Sequence, residues 1–440
     1  MTGQSLKKCV LIILDGIGDR SYEQLDHQTP LQAAKTPVMD ELASCGANGL
    51  YHAGHLGQAL PSENAHFVMF GYDMSAFPGR GVLEALGAGI RLRRKDVAVL
   101  THFACLREQG GILLVDERKP VISEHDVSRL INEVEEFETH GVHVRFIQTG
   151  GIFGIILLSG DVAPYITDSD PFIDGRPLIE IEPWSDFKQD KATGNTALAL
   201  KEYLVWAYYC MQDHPVNRSR VSNGQLAING FITQRAGQLK EVTPFKQCNG
   251  LRGLSIASGI VYLGLGSYTG MDTIKVEDTV NPGEDIAGRI KIAIDNLDDY
   301  DFIHVHTKAP DEAGHTKDPE FKMRVIESLD SGIGKAIHPL MDDPEVLLIV
   351  TADHSTPSTG PLIHSGEAVP LTFYGQGVRR DAVMRFNEID AATGALGNVR
   401  GSQLMYMVLD HLDMSKLHGI MDTPVDQPYW PGEYQPFRLK

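Results

Sequence analysis

Asp301-Phe-Ile-His-Val-His306 runs directly into Thr307-Lys-Ala-Pro-Asp311, and two other stretches repeat the pattern. Val10-Leu-Ile-Ile-Leu14 stops at Asp15-Gly16, and Val346-Leu-Leu-Ile-Val350 leads into Thr351-Ala-Asp353-His354. Each is a short run with few alternating polar positions, which suits a strand buried on both faces of a mainly parallel sheet. In such sheets ligands collect outside the carboxyl ends of the strands. Asp15, Asp311, Asp353 and His354 all fall there.

Helical patterns lie between these runs. Thr36-Pro37 followed by Val38-Met-Asp-Glu-Leu42 offers a capping hydroxyl and a proline at the first helical position. Asp318-Pro319 opens a second helix, behind which Phe321, Val325, Leu329, Ile333 and Ile337 draw one apolar face. Strand–helix alternation at both chain ends predicts one α/β domain assembled from residues 1–75 and 248–440. Residues 76–247 read as a second domain inserted into it. They hold a strand-like run at Gly154–Leu158, a helical pattern over Thr196–Met211, and turn-rich stretches such as Asp213-His-Pro-Val-Asn217.

Composition narrows the classes of function. A chain of 440 residues exceeds what one core usually supports. Asp plus Glu outnumber Lys plus Arg by 58 to 39, which argues against binding nucleic acid but leaves room for a small anionic substrate. The run Val10–Leu14 is too short for a signal peptide, and no segment approaches the ~20 apolar residues of a membrane helix. Five scattered cysteines without a C-x-x-C pair suit reduced thiols and a cytoplasmic location.

The chemistry-bearing residues cluster in the last third: Asp311-Glu-Ala-Gly-His315, Asp353-His354 and His364. Mixed carboxylate and imidazole donors favour Mn, Zn, Co or Mg-like ions over Ca. Asp311 and His315 can converge if the segment turns, with Gly314 supplying backbone freedom. Neighbours Asp353 and His354 point apart on an extended backbone and can share an ion only through a bend. Ser62, after Pro61, sits at a predicted helix start where a serine is ordinarily a cap. Beside a dication the same hydroxyl becomes a nucleophile toward phosphorus. His66, one turn on, reads as a supporting histidine, and His140 and His143 as structural.

With these residues in view, the chain resembles the archaeal-type cofactor-independent (2,3-bisphosphoglycerate-independent) phosphoglycerate mutases of the alkaline phosphatase superfamily. The likeness rests on Leu14-Asp-Gly-Ile-Gly-Asp-Arg20, Ser62-Glu-Asn-Ala-His66, Gly79-Arg-Gly81, Thr167-Asp-Ser-Asp-Pro171, His214-Pro-Val-Asn217, Val305–His315 and Thr351-Ala-Asp-His354. It implies an alkaline-phosphatase-like, mainly parallel sheet with helices on both faces, plus a smaller inserted α/β (α+β) domain that clamps the substrate. It further implies two divalent ions, Mn favoured and Zn, Co or Mg compatible. One would be held by Asp311, His315 and His364, the other by Asp15, Ser62, Asp353 and His354. Ser62 would take the phosphate of 3-phosphoglycerate and return it to the 2-hydroxyl of the retained glycerate, with Lys308 contacting phosphate or stabilising developing charge. Asp168, Asp170, Asn217, Arg220 and Arg235 would bind the substrate from the insert.

Two departures stand out. Where the family carries Gly-His-Arg in the insert, this chain has Gly151-Ile152-Phe153, and Gln234-Arg235-Ala-Gly237 replaces an Arg-Gly pair. Losing a His–Arg pair from an anion clamp costs about 3 kcal/mol or more. Three readings follow: a phosphoglycerate mutase; a related phosphomutase or phosphatase for another phosphorylated metabolite, favoured by Ile152-Phe153; and a non-catalytic metal-binding scaffold, for which Ser62 has no chemical purpose.

Overall fold

In the computed structural model, which describes residues 6–417, 427–428 and 437–439, β1 (Lys8–Leu14) and β2 (Ala47–His52) come first. β3 (Val97–Gln109), β4 (Ile112–Glu117), β5 (Glu136–Thr139), β6 (Val142–Gly150), β7 (Phe153–Ser159) and β8 (Gly230–Gln238) occupy the middle of the chain. β9 (Gly253–Ala257), β10 (Asp272–Lys275), β11 (Phe302–Thr307), β12 (Val346–Thr351), β13 (Val369–Tyr374) and β14 (Gly397–Arg400) follow. The chain divides into two compact units, Met1–Phe77 with Val242–Lys440, and Pro78–Glu241. The second cut falls at Glu241, ahead of the expected 247. The reason is Phe245, which is buried in the first unit with its ring 5.1 Å from that of Phe302 and 6.3 Å from that of Phe70.

The first unit is built on one sheet in the order β10-β9-β11-β1-β12-β13-β2-β14. Only β13 runs against its neighbours. The three strands anticipated from their aliphatic runs are adjacent at its centre. Ile12 lies opposite Val305 on one side and Val350 on the other, so β11, β1 and β12 end nearly level. Every residue of β11 and β12 is buried, and every residue of β1 after Lys8. Burying each aliphatic side chain there contributes roughly 1.5–3 kcal/mol, so a shift in register would be costly.

Helix ends follow the local chemistry with one exchange of partners. The helix Pro319–Gly334 is capped by Asp318, whose carboxylate accepts the Phe321 N–H at 3.0 Å. The helix Pro37–Cys45 is not capped by the Thr36 side chain as expected. Asp330, from the helix Pro319–Gly334, accepts the N–H groups of Val38 and Met39 at 3.2 and 2.8 Å instead. Val325, Leu329 and Ile333 are buried as anticipated, whereas Phe321 is exposed and Ile337 lies beyond the helix end. Among the described residues no helix is long and apolar enough to cross a membrane, and all five cysteines are free.

The second unit is an antiparallel sheet, β4-β3-β7-β6-β5, with β8 also paired to β3. The expected strand and helix lie within β7 and the helix Lys191–Gln212. Phe103, Phe146, Leu200, Tyr203 and Phe231 form the centre of its core.

In the first unit, the helices Pro282–Asp295 and Pro319–Gly334 touch through Gly283 and Gly332, where a Cβ on Gly332 would strike the Gly283 backbone. Gly332→Ala should therefore destabilise by about 1–3 kcal/mol despite alanine's better helix propensity. A denaturant midpoint equal to or above wild type would contradict this.

Candidate active site

The level ends of β11, β1 and β12 bring three carboxylates together. Asp15 follows β1 directly, Asp353 lies just past β12, and Asp311 sits in the helix Ala309–His315 after β11. They are 0%, 2% and 1% exposed. The helix Ala309–His315 puts Asp311 and His315 one turn apart, with His315 Nε2 at 3.2 Å from Asp311 Oδ1. Gly314 serves close approach rather than backbone freedom: a Cβ there would lie 2.8 Å from the Thr356 carbonyl oxygen. His364 Nε2 approaches the same Asp311 oxygen at 3.5 Å. Its Nδ1 donates to the Leu60 carbonyl at 2.9 Å, which leaves the Nε2 lone pair facing the cluster.

The chain bends at Asp353, and the bend lets Asp353 and His354 face one point. His354 Nε2 is 3.3 Å from both Asp15 Oδ1 and Asp353 Oδ2. Ser62, the first residue of the helix Ser62–Met69, directs its Oγ to within 2.9 Å of His354 Nε2. His66 turns back to donate from Nδ1 to the Ser62 carbonyl at 2.8 Å, fixing the first turn beneath the hydroxyl. Lys308 reaches to 4.0 Å from Asp311 Oδ2.

Two groups can thus hold a metal ion, Asp311–His315–His364 and Asp15–Asp353–His354, the donor atoms of each lying within 4.8 Å of one another. Unsatisfied atoms support the fit. Asp15 Oδ1 and Asp353 Oδ2 are buried without a hydrogen-bond partner among the described residues, and both face His354. A buried carboxylate oxygen so placed needs a cation or a proton. Burial, then the charges of Asp15 and Asp311, push the Asp353 carboxyl well up. Burial pushes Asp311 up as well, but contacts from His315 and His364 more than reverse it and hold it ionised. Burial lowers His354 to about 4, so its ring is neutral and able to ligate.

Sequence reasoning missed the groups that hold these candidate ligands. Thr356 Oγ1 donates to Asp311 Oδ1 at 2.7 Å. Tyr262 and His306 both contact Asp15, at 2.7 and 3.0 Å. Lys322, fully buried, donates to the carbonyls of Gly18 and Thr356 and to Asp19. A histidine inside the buried run Phe302–Thr307 was the available signal for His306; Tyr262 and Lys322 carried none.

The insert has its own cavity of about 200 Å³, lined by Arg80, Glu84, Leu100, Thr101, His102, Arg118, Lys119, Phe153, Gly154 and Gln234. None of the five substrate-binding residues expected in the insert lines it. Asn217 is wholly buried and spends its amide on the backbone of Met211 and Ile228. Asp170, also wholly buried, grips Arg118 through Nε at 2.9 Å and Nη2 at 2.5 Å, so it acts on the cavity through that arginine. Arg220 donates to the Leu226 and Val121 carbonyls. Asp168 accepts the Arg235 N–H at 2.6 Å. Ile152 packs against the insert's core, and Phe153, 47% exposed, lies against His102 with ring centroids 5.8 Å apart.

Burial lowers His102 from 6.5 to about 4. Between those values the unfolded chain binds the proton and the folded insert does not. The insert should therefore lose stability, on the order of 3 kcal/mol, as pH falls from about 6.5 towards 4. Fluorescence of Trp184 and Trp206 during denaturant unfolding reports this transition, and His102→Gln should flatten the dependence; an unchanged slope would refute it. For the metal groups, Asp311→Ala and Asp353→Ala should each weaken binding at its own cluster. Metal analysis finding wild-type content in both variants would refute the grouping.

Comparison with known proteins agrees with this architecture. The Metalloenzyme superfamily profile matches residues 7–411. The chain is 38% identical to 2,3-bisphosphoglycerate-independent phosphoglycerate mutase 2 of Methanocaldococcus jannaschii, covering 94% of this chain and 95% of that protein. It is 36% identical to the corresponding mutase of Methanopyrus kandleri, covering 94% and 98%. The solved cofactor-independent phosphoglycerate mutase of Thermoplasma acidophilum superposes with a TM-score of 0.64 at 29% identity, covering 92% of this chain and 100% of that one. A Pyrococcus horikoshii structure gives 0.76 at 29% identity, covering 93% and 98%. The chain belongs to the Metalloenzyme superfamily and, within it, to the cofactor-independent phosphoglycerate mutase family.

Proposed function

We propose that this protein interconverts 3-phosphoglycerate and 2-phosphoglycerate, with Ser62 as the transient phosphoryl acceptor. The observation that carries the reading is the Ser62 hydroxyl, 2.9 Å from His354 Nε2 and beside two carboxylate–histidine clusters. Asp311, His315 and His364 would hold one divalent ion; Asp15, Asp353, His354 and Ser62 would hold the other, with Mn favoured over Zn, Co or Mg. Such ions, when bound, favour the ionised serine and neutralise charge on the phosphoryl oxygens.

The remaining work falls to side chains of this chain. Ser62 Oγ forms a bond to phosphorus as the bond to the 3-oxygen of the substrate breaks, and the proton that Ser62 loses ends on that 3-oxygen. The glycerate stays bound and presents its 2-hydroxyl, whose oxygen takes the phosphoryl group as the bond from phosphorus to Ser62 Oγ breaks and the 2-hydroxyl proton returns to Ser62. The half-exposed Lys308 ammonium suits a phosphate oxygen. Retention of glycerate is assigned to cationic groups of the insert, Arg118 and Lys119 foremost, since they face its cavity.

One observation favours a second reading, a mutase or phosphatase of another phosphorylated metabolite. Phe153 offers that cavity an apolar face where the family resemblance implies an arginine.

Phosphorus NMR of the Mn²⁺-loaded protein with 3-phosphoglycerate decides between them. We expect 2-phosphoglycerate with some free phosphate, and none of either from Ser62→Ala, which should fold and keep most of its metal. A wild-type protein inert toward 3-phosphoglycerate but active on another phosphorylated metabolite would replace the first reading by the second. Phosphate trapped on a residue other than Ser62 would refute the acceptor.

A further inference from the structure

Asp15 is held asymmetrically. Its Oδ2 faces two donors, the Tyr262 hydroxyl at 2.7 Å and His306 Nε2 at 3.0 Å. Its Oδ1 has no hydrogen-bond partner among the described residues and faces His354 Nε2 at 3.3 Å. A carboxylate only accepts, so His306 carries its proton on Nε2, and both contacts pull on the same oxygen. Tyr262 and His306 are 2% and 0% exposed, so water does not compete for either bond.

The two donors come from different elements, and each is fixed by packing. His306 is set by sheet register: it lies opposite Ile13, two residues before Asp15. Tyr262 stands in the first turn of the helix Ile260–Thr269, which begins after β9. Its ring lies 3.9 Å, centroid to centroid, from that of His306. Gly259 leaves room for it: a Cβ at 259 would sit 2.9 Å from the Tyr262 ring. With both donors in place the Asp15 carboxylate cannot rotate without breaking two buried hydrogen bonds.

We infer that Tyr262 and His306 are positioning residues for Asp15: together they hold one carboxylate oxygen back and leave the other to a divalent cation. This rests on the reading of Asp15 as a metal ligand. Donors behind a ligand fix its orientation, and losing one costs about tenfold to a hundredfold in metal affinity. Tyr262→Phe is the clean probe, because it removes the hydroxyl and keeps the ring against His306 and Gly259.

The experiment is a Co²⁺ titration of metal-free protein, followed by visible absorption and calorimetry, on wild type, Tyr262→Phe, His306→Gln, Asp15→Asn and Asp311→Ala. Urea unfolding of each metal-free protein runs alongside. Tyr262→Phe should weaken by about tenfold or more only the binding step that Asp15→Asn removes, leaving the step removed by Asp311→Ala unchanged. Adding Tyr262→Phe to Asp15→Asn should change nothing further. His306→Gln, which keeps an N–H donor, should fall between wild type and Tyr262→Phe. Wild-type affinity in Tyr262→Phe would overturn the inference. So would equal weakening of both steps together with lost stability, which marks a merely structural role. If neither Asp15→Asn nor Asp311→Ala alters Co²⁺ binding, the metal reading itself falls, a result distinct from either.

Discussion

Three carboxylates buried at the ends of three adjacent strands are the constraint around which this molecule is built. Parallel pairing brings β11, β1 and β12 out nearly level, so Asp311, Asp15 and Asp353 cannot avoid one another. Like charges in a buried site are strongly unfavourable unless compensated. The protein compensates unequally. Asp311 is held ionised by His315 and His364, and Asp15 by His306 and His354 against burial and the charge of Asp311. Asp353, pushed well up, is left the least able to ionise alone. A divalent cation removes that conflict where a proton only masks it. The buried Lys322 is compensated separately, by Asp19 at 3.1 Å, and ties the Gly18 and Thr356 backbones without contacting Asp15 or Asp311 in the hydrogen bonds it makes.

How much of this could be read in the sequence follows from where each residue's role originates. Asp15, Asp311, Asp353 and His354 were legible because an aliphatic run fixes a strand and the next polar residue marks its end. Even the required bend at Asp353 followed from chemistry. His315 and His364 needed only their donor type and spacing. Tyr262 was invisible, because its function comes from a hydroxyl meeting a carboxylate 247 positions away in sequence. His306 was half legible, as an imidazole placed without apparent reason in a buried strand.

The insert was harder to read for a different reason. Its sheet is antiparallel and centred on β3, whose pairing with β4, β7 and β8 no local pattern announces. Two of the residues carried over by family resemblance make their contacts within the frame of this unit. Asn217 closes backbone against backbone, and Asp170 fixes Arg118. Motif matching locates residues along the chain, but it does not separate those that line a cavity from those that hold the lining residues in place. Of the cavity cations, Arg80 lies in the quoted Gly79-Arg-Gly81 motif, whereas Arg118 and Lys119 sit in none.

The charge balance of that cavity bears on what the insert can grip. Arg80 is paired with Glu84 at 2.7 Å, and Arg118 is paired twice with the buried Asp170. His102 is neutral at ordinary pH because burial holds it near 4. Among the described residues Lys119 is thus the cavity cation that makes no ion pair, and Phe153 adds an apolar wall rather than a second charge. Paired guanidinium groups still donate to an anion, but from a fixed orientation and with part of their charge already offset. The physical consequence is a division between the two units. Under the proposed reaction, phosphoryl transfer would rest on the strand-end cluster of the first unit, and substrate retention on the few unpaired charges of the insert's cavity. On that proposal binding and chemistry can vary separately, because the two sets of residues are anchored in different sheets.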